Sequence, residues 1–434
     1  MLRTDIGEME TVQPAAHVAG TVHLPGDKSI AHRALMLAVL AQGESWIDGL
    51  PESEDVRATI ACLRALGGSL QRSGRGMRIH GAGLESFATP HGGLDCANSG
   101  TTMRLLAGVL AGSRVSATLD GDASLRRRPM ARVIEPLRNM GARIESDDGH
   151  PPLLLTGSAL QGRRHVLPLP SAQVKSALLL AGLAARGPTT VVEPVPTRDH
   201  TERLLAVMGA DLQVAAGTVE LRPSHRPLGP IELAVPGDFS SASFWMAAAT
   251  LRPGWSITIE GVGLNPTRTA FLRILEAMGA GVEVELTASE MEPVGTVRVT
   301  GRPLFAVTLG AEEVVAAIDE IPALLAIATQ AEGRTTIAGA AELRVKESDR
   351  IASMAEGLRR MGASVDERPD GISVEGRRAL HGATVDSNGD HRIAMALAVA
   401  GLAATGPTRI EDADCVAVSY PEFFATLSEV THAG

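Results

Sequence analysis

Apolar positions along this chain follow two alternating rhythms. In the first, nearly unbroken runs of Ala, Leu, Val, Ile and Met end in a glycine turn and re-enter an extended stretch, at 38–43, 108–112, 182–187, 248–254, 327–333 and 401–406. The turns recur roughly every 70 residues, a spacing that suits one supersecondary unit per turn. A run apolar on all sides predicts a helix buried on all sides. In the second rhythm, apolar residues are spaced as on one helix face, as in Ile351, Met354, Leu358 and Met361, and the pattern closes on a glycine: Gly67, Gly141, Gly209, Gly279 and Gly362. A glycine there suits the left-handed position after a helix. Alternating stretches follow, such as Ala142-Arg143-Ile144-Glu145 and Gly281-Val282-Glu283-Val284-Glu285, and predict half-exposed strands.

Together these patterns predict an α/β (α+β) chain of six β-α-β-α-β-β repeats, each with one buried and one amphipathic helix. One motif occurs twice. Leu24-Pro25-Gly26-Asp27-Lys28-Ser29 opens one apolar run, and Val235-Pro236-Gly237-Asp238-Phe239-Ser240 opens another roughly 210 residues later, half the chain. The echo predicts two domains of three repeats with crossings near 22–26 and 235–239. A common Pro-Gly turn with an Asp cap is the plainer alternative.

The chain has 434 residues, 44% hydrophobic and 21% charged, which is globular usage and long enough for more than one core. Aromatics are 3%, so base-stacking platforms for single-stranded nucleic acid are not expected. The net charge of −10 argues against a general polyanion partner, so any bound anion must meet a local cluster. Cys62, Cys96 and Cys415 are far apart in sequence and form neither a disulfide framework nor a zinc pattern. No apolar run approaches membrane length and no signal peptide opens the chain, so a cytoplasmic protein is expected.

Helix starts carry partial positive charge and normally attract acidic residues. Here cations stand at them: Lys28 and Arg33, Arg104 after Asn98-Ser99-Gly100-Thr101-Thr102, Lys175 after Ser171-Ala172-Gln173, Lys346 and Arg350 around Ser348, and Arg392 in Asp390-His391-Arg392. Such ends repel unless an anion lies between them. Converging, they would hold several phosphate or carboxylate groups; singly, each would be a solvated surface charge. Of Arg126-Arg127-Arg128, neighbours on a helix point apart, so one is expected to be functional and two solvated. Candidate acids and bases are Asp319, which could instead cap a helix, Glu347 between Lys346 and Arg350, and His391, which could instead be a structural histidine.

In order along the chain, Pro25-Gly26-Asp27-Lys28-Ser29-Ile30-Ala31-His32-Arg33, Asn98-Ser99-Gly100-Thr101, Arg128-Pro129-Met130, Ser171-Ala172-Gln173, Asp319-Glu320-Ile321-Pro322, Arg344-Val345-Lys346-Glu347-Ser348-Asp349-Arg350 and Asp390-His391-Arg392 resemble the enolpyruvyl transferases, most closely the 5-enolpyruvylshikimate-3-phosphate synthases. The resemblance implies the two-domain enolpyruvyl-transferase fold, with 1–22 and 236–434 in one domain, 23–235 inserted as the other, and the active site in the cleft between them. It implies transfer of the enolpyruvyl group of phosphoenolpyruvate to the 5-hydroxyl of 3-phosphoshikimate, by addition and elimination through a tetrahedral intermediate, with no cofactor or metal. Carried over by motif, 3-phosphoshikimate would be held by Lys28, Ser29, Arg33, Ser171, Ala172, Gln173, Arg198, Asp319 and Lys346. Phosphoenolpyruvate would be held by Lys28, Asn98, Gly100, Arg128, Gln173, Lys346, Arg350 and Arg392, with His391 in support. Asp319 would act as base and Glu347 and Lys28 as the leading acids. The family also implies a monomer with small-molecule substrates, no nucleic acid and no membrane, and glyphosate as an inhibitor.

Three positions depart from the better-known branch. Val418 stands where that branch has a lysine, Ala172 replaces a serine, and Leu105 replaces a proline beside Gly100. With Arg198 present, the chain looks closer to a divergent branch, and its glyphosate sensitivity stays open. The sister transferase acting on a UDP-linked amino sugar carries a reactive Cys in the loop matching Arg126-Arg127-Arg128, where this chain has none. A phosphometabolite-binding protein that had lost its chemistry would not need Asp319, Glu347 and Lys28 together.

Overall fold

The computed structural model describes residues 8–224, 226–288 and 291–432. The chain falls into two compact units, one running up to Pro25 and resuming at Pro236, the other Gly26–Val235. His23, Leu24 and Pro25 thus fall in the discontinuous unit and not in the inserted one. Strand pairing holds them there, because Ala19–His23 runs parallel to Ser256–Gly263 with His23 opposite Glu260, and Asp238 N–H donates to Pro25 O at 2.9 Å.

In the inserted unit the apolar runs become the buried helices Lys28–Leu40 (α1), Gly100–Ala111 (α2) and Ala172–Gly182 (α3). From Ile30 to Leu40 every side chain of α1 is buried, as its composition requires. Each Val, Leu, Ile or Met so placed contributes about 1.5–3 kcal/mol of transfer free energy. Each helix feeds a strand, Gln42–Asp48, Ser116–Asp120 and Thr189–Val192. An amphipathic helix and an antiparallel hairpin follow, giving three four-stranded sheets. In two repeats the parallel first strand precedes its helix locally, Leu94–Asp95 and Arg164–Val166. In the third it comes from the far end of the unit, where Glu232–Ala234 pairs with Gln42–Asp48 and closes the ring.

The discontinuous unit repeats the scheme around Phe239–Thr250 (α4), Ile321–Ala328 (α5) and His391–Leu402 (α6). Here Ala19–His23 supplies the strand that α4 needs. The last repeat departs from the expected form. Thr408–Glu411 has no hairpin beyond it; Glu10–Val12 pairs antiparallel in its place and makes a three-stranded sheet. A 3-10 segment, Ala413–Val418, and a helix, Phe423–His432, end the chain where another amphipathic helix and hairpin were expected. Among the described residues no helix is long and apolar enough to cross a membrane.

The glycines closing the amphipathic helices all have positive φ, from 86° at Gly209 to 105° at Gly141. Glycine matters differently inside α2, where a Cβ on Gly108 would lie 2.2 Å from Ala177 O of α3. Two buried helices approach there with backbone against backbone. Gly108→Ala is expected to lower stability by about 1–3 kcal/mol through overpacking. Urea denaturation checks this, and an unchanged midpoint would show that the pair can separate freely.

Candidate functional site

Helix starts are where these sequences spend their caps. In the inserted unit Asp27, Ser99 and Ser171 accept from Ile30, Thr102 and Val174 N–H at the heads of α1, α2 and α3. Around those heads lie Lys28, whose Nζ is 2.9 Å from Asp55 Oδ2, and Arg198, whose Nη1 donates to Ser29 Oγ at 3.3 Å. Ahead of α2, Ala97 holds a left-handed φ of 49° and leads into Asn98. That strain is stabilised by Ala97 N–H donating to Asp95 Oδ1 at 2.8 Å. Asn98 in turn donates to Asp122 Oδ2 at 2.8 Å and accepts from Arg128 Nη2 at 2.6 Å. Arg104 donates to Gln173 Oε1 at 2.5 Å, and Gln173 Nε2 donates to Thr101 Oγ1 at 2.8 Å, which ties α2 to α3. Gly100 is confined by cations, since a Cβ there would stand 3.1 Å from both Arg104 Nη1 and Arg128 Nη1. The loop thus presents backbone N–H groups and two guanidinium groups at one glycine.

Behind this face runs a buried chain of short hydrogen bonds. His32 Nδ1 meets Thr59 Oγ1, Thr59 meets Thr102 and Thr102 meets Ser99, each at 2.7 Å. It fixes the Ser99 cap relative to α1. Burial pushes the His32 pKa down to about 4, with Lys28 and Arg33 adding to the shift against Asp55 and Asp27, so the imidazole is neutral at pH 7.

The discontinuous unit has a cluster of its own. Arg350 is 2% exposed and binds three carboxylates: Nε to Asp390 Oδ2 at 2.8 Å, Nη1 to Asp319 Oδ1 at 3.3 Å and Nη2 to Glu347 Oε2 at 2.6 Å. Burial opposes its charge, but Asp390, Glu347 and Asp319 outweigh burial and push its pKa up. Arg392 donates to Asp319 O at 3.0 Å, and its Nη2 lies 3.9 Å from Asp319 Oδ2. Burial pushes the Lys346 pKa down, against the pull of Asp319, Glu342 and Glu347. Asp390 also caps α6 by accepting from Arg392 N–H at 2.9 Å. Asp319 does not cap α5. The residue at that position is Glu320, with no side-chain cap bond, and Glu320 accepts from Ser240 Oγ at 2.5 Å.

The structure therefore gathers Lys28, Ser29, Asn98, Gly100, Arg128, Gln173 and Arg198 around helix heads in one unit, and Asp319, Lys346, Glu347, Arg350 and Arg392 in the other. Arg128 is buried while Arg126 and Arg127 are exposed, with Arg126 paired to Asp120 at 2.5 Å. Arg33 is 2% exposed and spends donors on Thr201 Oγ1 at 2.8 Å, Ser29 O at 2.7 Å and Ser176 Oγ at 3.0 Å. Lys175 stands apart from the anion-binding set, because its ammonium is buried on Glu193 and Glu202. Sequence reasoning missed Asp55, the counter-ion of Lys28, and Asp390 as the partner of Arg350; acidic residues just after Ser53 and just before His391 were the signal. It also missed that Cys62 and Cys96 meet in the core. The Cys62 thiol and burial together push Cys96 well up, and all three cysteines are free.

Two threefold α/β units, each with a cluster of cations and carboxylates at buried helix heads, define an enzyme that handles small multiply charged anions. The family model for EPSP synthase (3-phosphoshikimate 1-carboxyvinyltransferase) matches residues 12–427, and the chain belongs to that family. It is 51% identical to a 3-phosphoshikimate 1-carboxyvinyltransferase of Gloeobacter violaceus, covering 98% of this chain and 99% of the relative. An Acidithiobacillus ferrooxidans enzyme of the same name is 52% identical, with 96% of each chain covered. The solved structure of EPSP synthase from Acinetobacter baumannii superposes with a TM-score of 0.85 at 40% identity, covering 97% of this chain and 98% of that one.

Two outcomes follow from the electrostatics. A histidine held neutral below its unfolded pKa of 6.5 contributes stability that is present above pH 6.5 and lost as pH falls toward 4. That contribution is on the order of 3 kcal/mol, so the unfolding free energy of His32→Asn should change less between pH 6.5 and 4 than that of the unaltered chain, which denaturant titration across that range measures. Arg350→Met leaves buried carboxylates without their cation and should cost about 3–5 kcal/mol at pH 7. Arg350→Lys, which keeps a positive charge, should lose less in the same denaturant titration, and an equal loss in both variants would show that packing and not charge is responsible.

Proposed function

We infer that this chain, as a member of that family, transfers the 1-carboxyvinyl group of phosphoenolpyruvate to the 5-hydroxyl of 3-phosphoshikimate, and that its two clusters serve this one reaction. The observation that carries the mechanism is Asp319. Its carboxylate is released from capping, partly open and held between Arg350 and Arg392. A carboxylate so placed can accept a hydroxyl proton.

In the first step Asp319 takes the proton of the 5-hydroxyl, whose oxygen bonds to C2 of phosphoenolpyruvate while the methylene carbon gains a proton. Glu347 and Lys28 are the leading acids. Lys346 joins them, because burial makes its ammonium a readier donor. The product is a tetrahedral ketal phosphate. In the second step the methyl group returns a proton to the group that supplied one, the C2–O bond to phosphate breaks as the proton held by Asp319 passes to the leaving phosphate, and the enol ether and inorganic phosphate leave. Charge through both steps rests on fixed cations, Lys28 and Arg128 from one unit and Arg392 from the other. Arg350, committed to three carboxylates, aligns Asp319 and Glu347 and adds its charge to the cations that meet phosphoenolpyruvate.

Lys28, Ser29, Arg33, Ser171, Ala172, Gln173 and Arg198 bind 3-phosphoshikimate, with Asp319 and Lys346 on its hydroxyls. Asn98, Gly100, Arg128, Gln173, Lys346, Arg350 and Arg392 bind phosphoenolpyruvate with Lys28, and His391 supports the loop. Sparse, unpatterned cysteines support a cytoplasmic enzyme, and clusters built entirely from one chain support a monomer. Boundaries at 25 and 235 serve as the crossings.

Purified protein given both substrates should release inorganic phosphate, and none with a UDP-linked amino sugar as acceptor. Silence with 3-phosphoshikimate would overturn the reading. Asp319→Ala should lower kcat by about 10²–10⁴-fold, the usual range for a lost general base, with 3-phosphoshikimate binding nearly unchanged. Turnover near normal would remove Asp319 from that role.

A further inference from the structure

Lys175 is an ammonium that the proposed reaction does not use. It is 1% exposed in the first turns of α3, and its Nζ lies 2.7 Å from Glu193 Oε2, 2.7 Å from Glu202 Oε1 and 3.4 Å from Thr197 O. Both carboxylates are buried as well, Glu193 at 7% and Glu202 at 4% exposed. Burying an ammonium is costly unless it is paired, and here it meets two charges where one would neutralise it. Burial pushes Glu202 up against the opposing pull of Lys175, and Glu202 Oε2 is buried with no hydrogen-bond partner among the described residues.

The three contacts of Lys175 bracket one loop. Glu193 follows the strand Thr189–Val192, Glu202 lies in the first turn of His200–Val207, and Thr197 is between them. Glu193 also accepts from Thr197 Oγ1, and from Thr197 N–H at 3.4 Å. The next residue is Arg198, whose guanidinium reaches Ser29 Oγ. Between the clamped ends Pro194 and Pro196 are exposed.

We propose that Lys175 is a positioning residue for 3-phosphoshikimate: one buried ammonium clamps both ends and the middle of the 193–202 segment, so that Arg198 is presented beside Ser29. This rests on the reading of Arg198 as a phosphate contact. Among the described residues no hydrogen bond or ion pair of Lys175 reaches α1, so its effect on the ligand is assigned to Arg198. Without the ammonium the two carboxylates and Thr197 O lose their common partner, the segment loosens and Arg198 is no longer presented in one place.

Equilibrium binding of 3-phosphoshikimate and of shikimate, which lacks the phosphate, separates this from a general loss of structure. Lys175→Met should weaken 3-phosphoshikimate binding about ten-fold or more, the scale of one charge-assisted contact, and leave shikimate binding unchanged. On an Arg198→Ala background it should weaken 3-phosphoshikimate binding no further. Equal losses for both ligands, full additivity with Arg198→Ala, or no loss in Lys175→Met would each overturn the proposal. Glu193→Gln, which keeps the shape of the clamp and removes its central charge, should show the same ligand selectivity if Lys175→Met does not fold. If Arg198→Ala alone leaves 3-phosphoshikimate binding intact, the phosphate reading of Arg198 fails. Amide exchange then decides the clamp: faster exchange at 195–199 in Lys175→Met, with α3 still protected, supports it, and unchanged exchange sinks it.

Discussion

A cation buried at the positive end of a helix must be met by an anion, and this requirement organises both units. Lys28 meets Asp55, Lys175 meets Glu193 and Glu202, and Arg350 meets Asp390, Glu347 and Asp319. At the helix heads the caps are themselves short acceptors, Asp27, Ser99, Ser171, Asp238 and Asp390, which satisfy N–H groups, and two of them also pair with a cation, Asp238 with Arg268 and Asp390 with Arg350. The anion-binding capacity left over is what a substrate can use. Lys28 has one carboxylate partner, Lys175 two and Arg350 three. The same residue type at the same kind of helix start is therefore lightly paired in one case and heavily paired in another, and the carboxylates across from it decide which.

The repeat architecture was legible because its determinants are local. A run apolar on every side has to be a buried helix, and a glycine after an amphipathic turn has to accept positive φ, as Gly141 and Gly362 do. Strand exchange was not legible. Glu232–Ala234 joins Gln42–Asp48, and Ala19–His23 joins Ser256–Gly263, across separations that no periodicity encodes. Each short parallel strand satisfies one open sheet edge, and the edge cannot tell which part of the chain supplies its partner. The final repeat shows the converse. With no hairpin left to follow Thr408–Glu411, the edge is closed by Glu10–Val12 from the other end of the chain.

Within the site, cations were easier to find than their partners. Arg104, Lys175 and Arg350 stood out against the expectation of acidic helix starts, whereas Asp55, Glu193 and Asp390 look like ordinary surface or capping residues in sequence. Asp319 illustrates the limit well. As an isolated Asp ahead of an apolar helix it reads equally as a cap, and only the side-chain geometry, with Glu320 at the cap position and Asp319 turned to Arg350 and Arg392, separates the alternatives. Distance along the chain hides such pairs: Arg350 is 31 residues from Asp319 and 40 from Asp390.

The repeated Pro-Gly-Asp motif shows how one scaffold supports different chemistry. Asp27 and Asp238 cap α1 and α4 with nearly the same backbone, φ −62° and ψ 114° against φ −68° and ψ 116°. The residue after each Asp differs. Lys28 leaves the helix head with a charge that Asp55 holds at the surface of the cap, while Phe239 is buried in the core of its unit. Beside the second cap, buried Arg268 donates to Ser240 Oγ at 2.6 Å and lies 3.9 Å from Glu320. The cation thus enters from another segment and is consumed inside. One copy of the motif gives a half-buried ammonium paired with Asp55, and the other gives a packed foundation under Glu320, the neighbour of Asp319. The cap is the same in both; the single side chain after it determines whether the helix head carries a charge or joins the core.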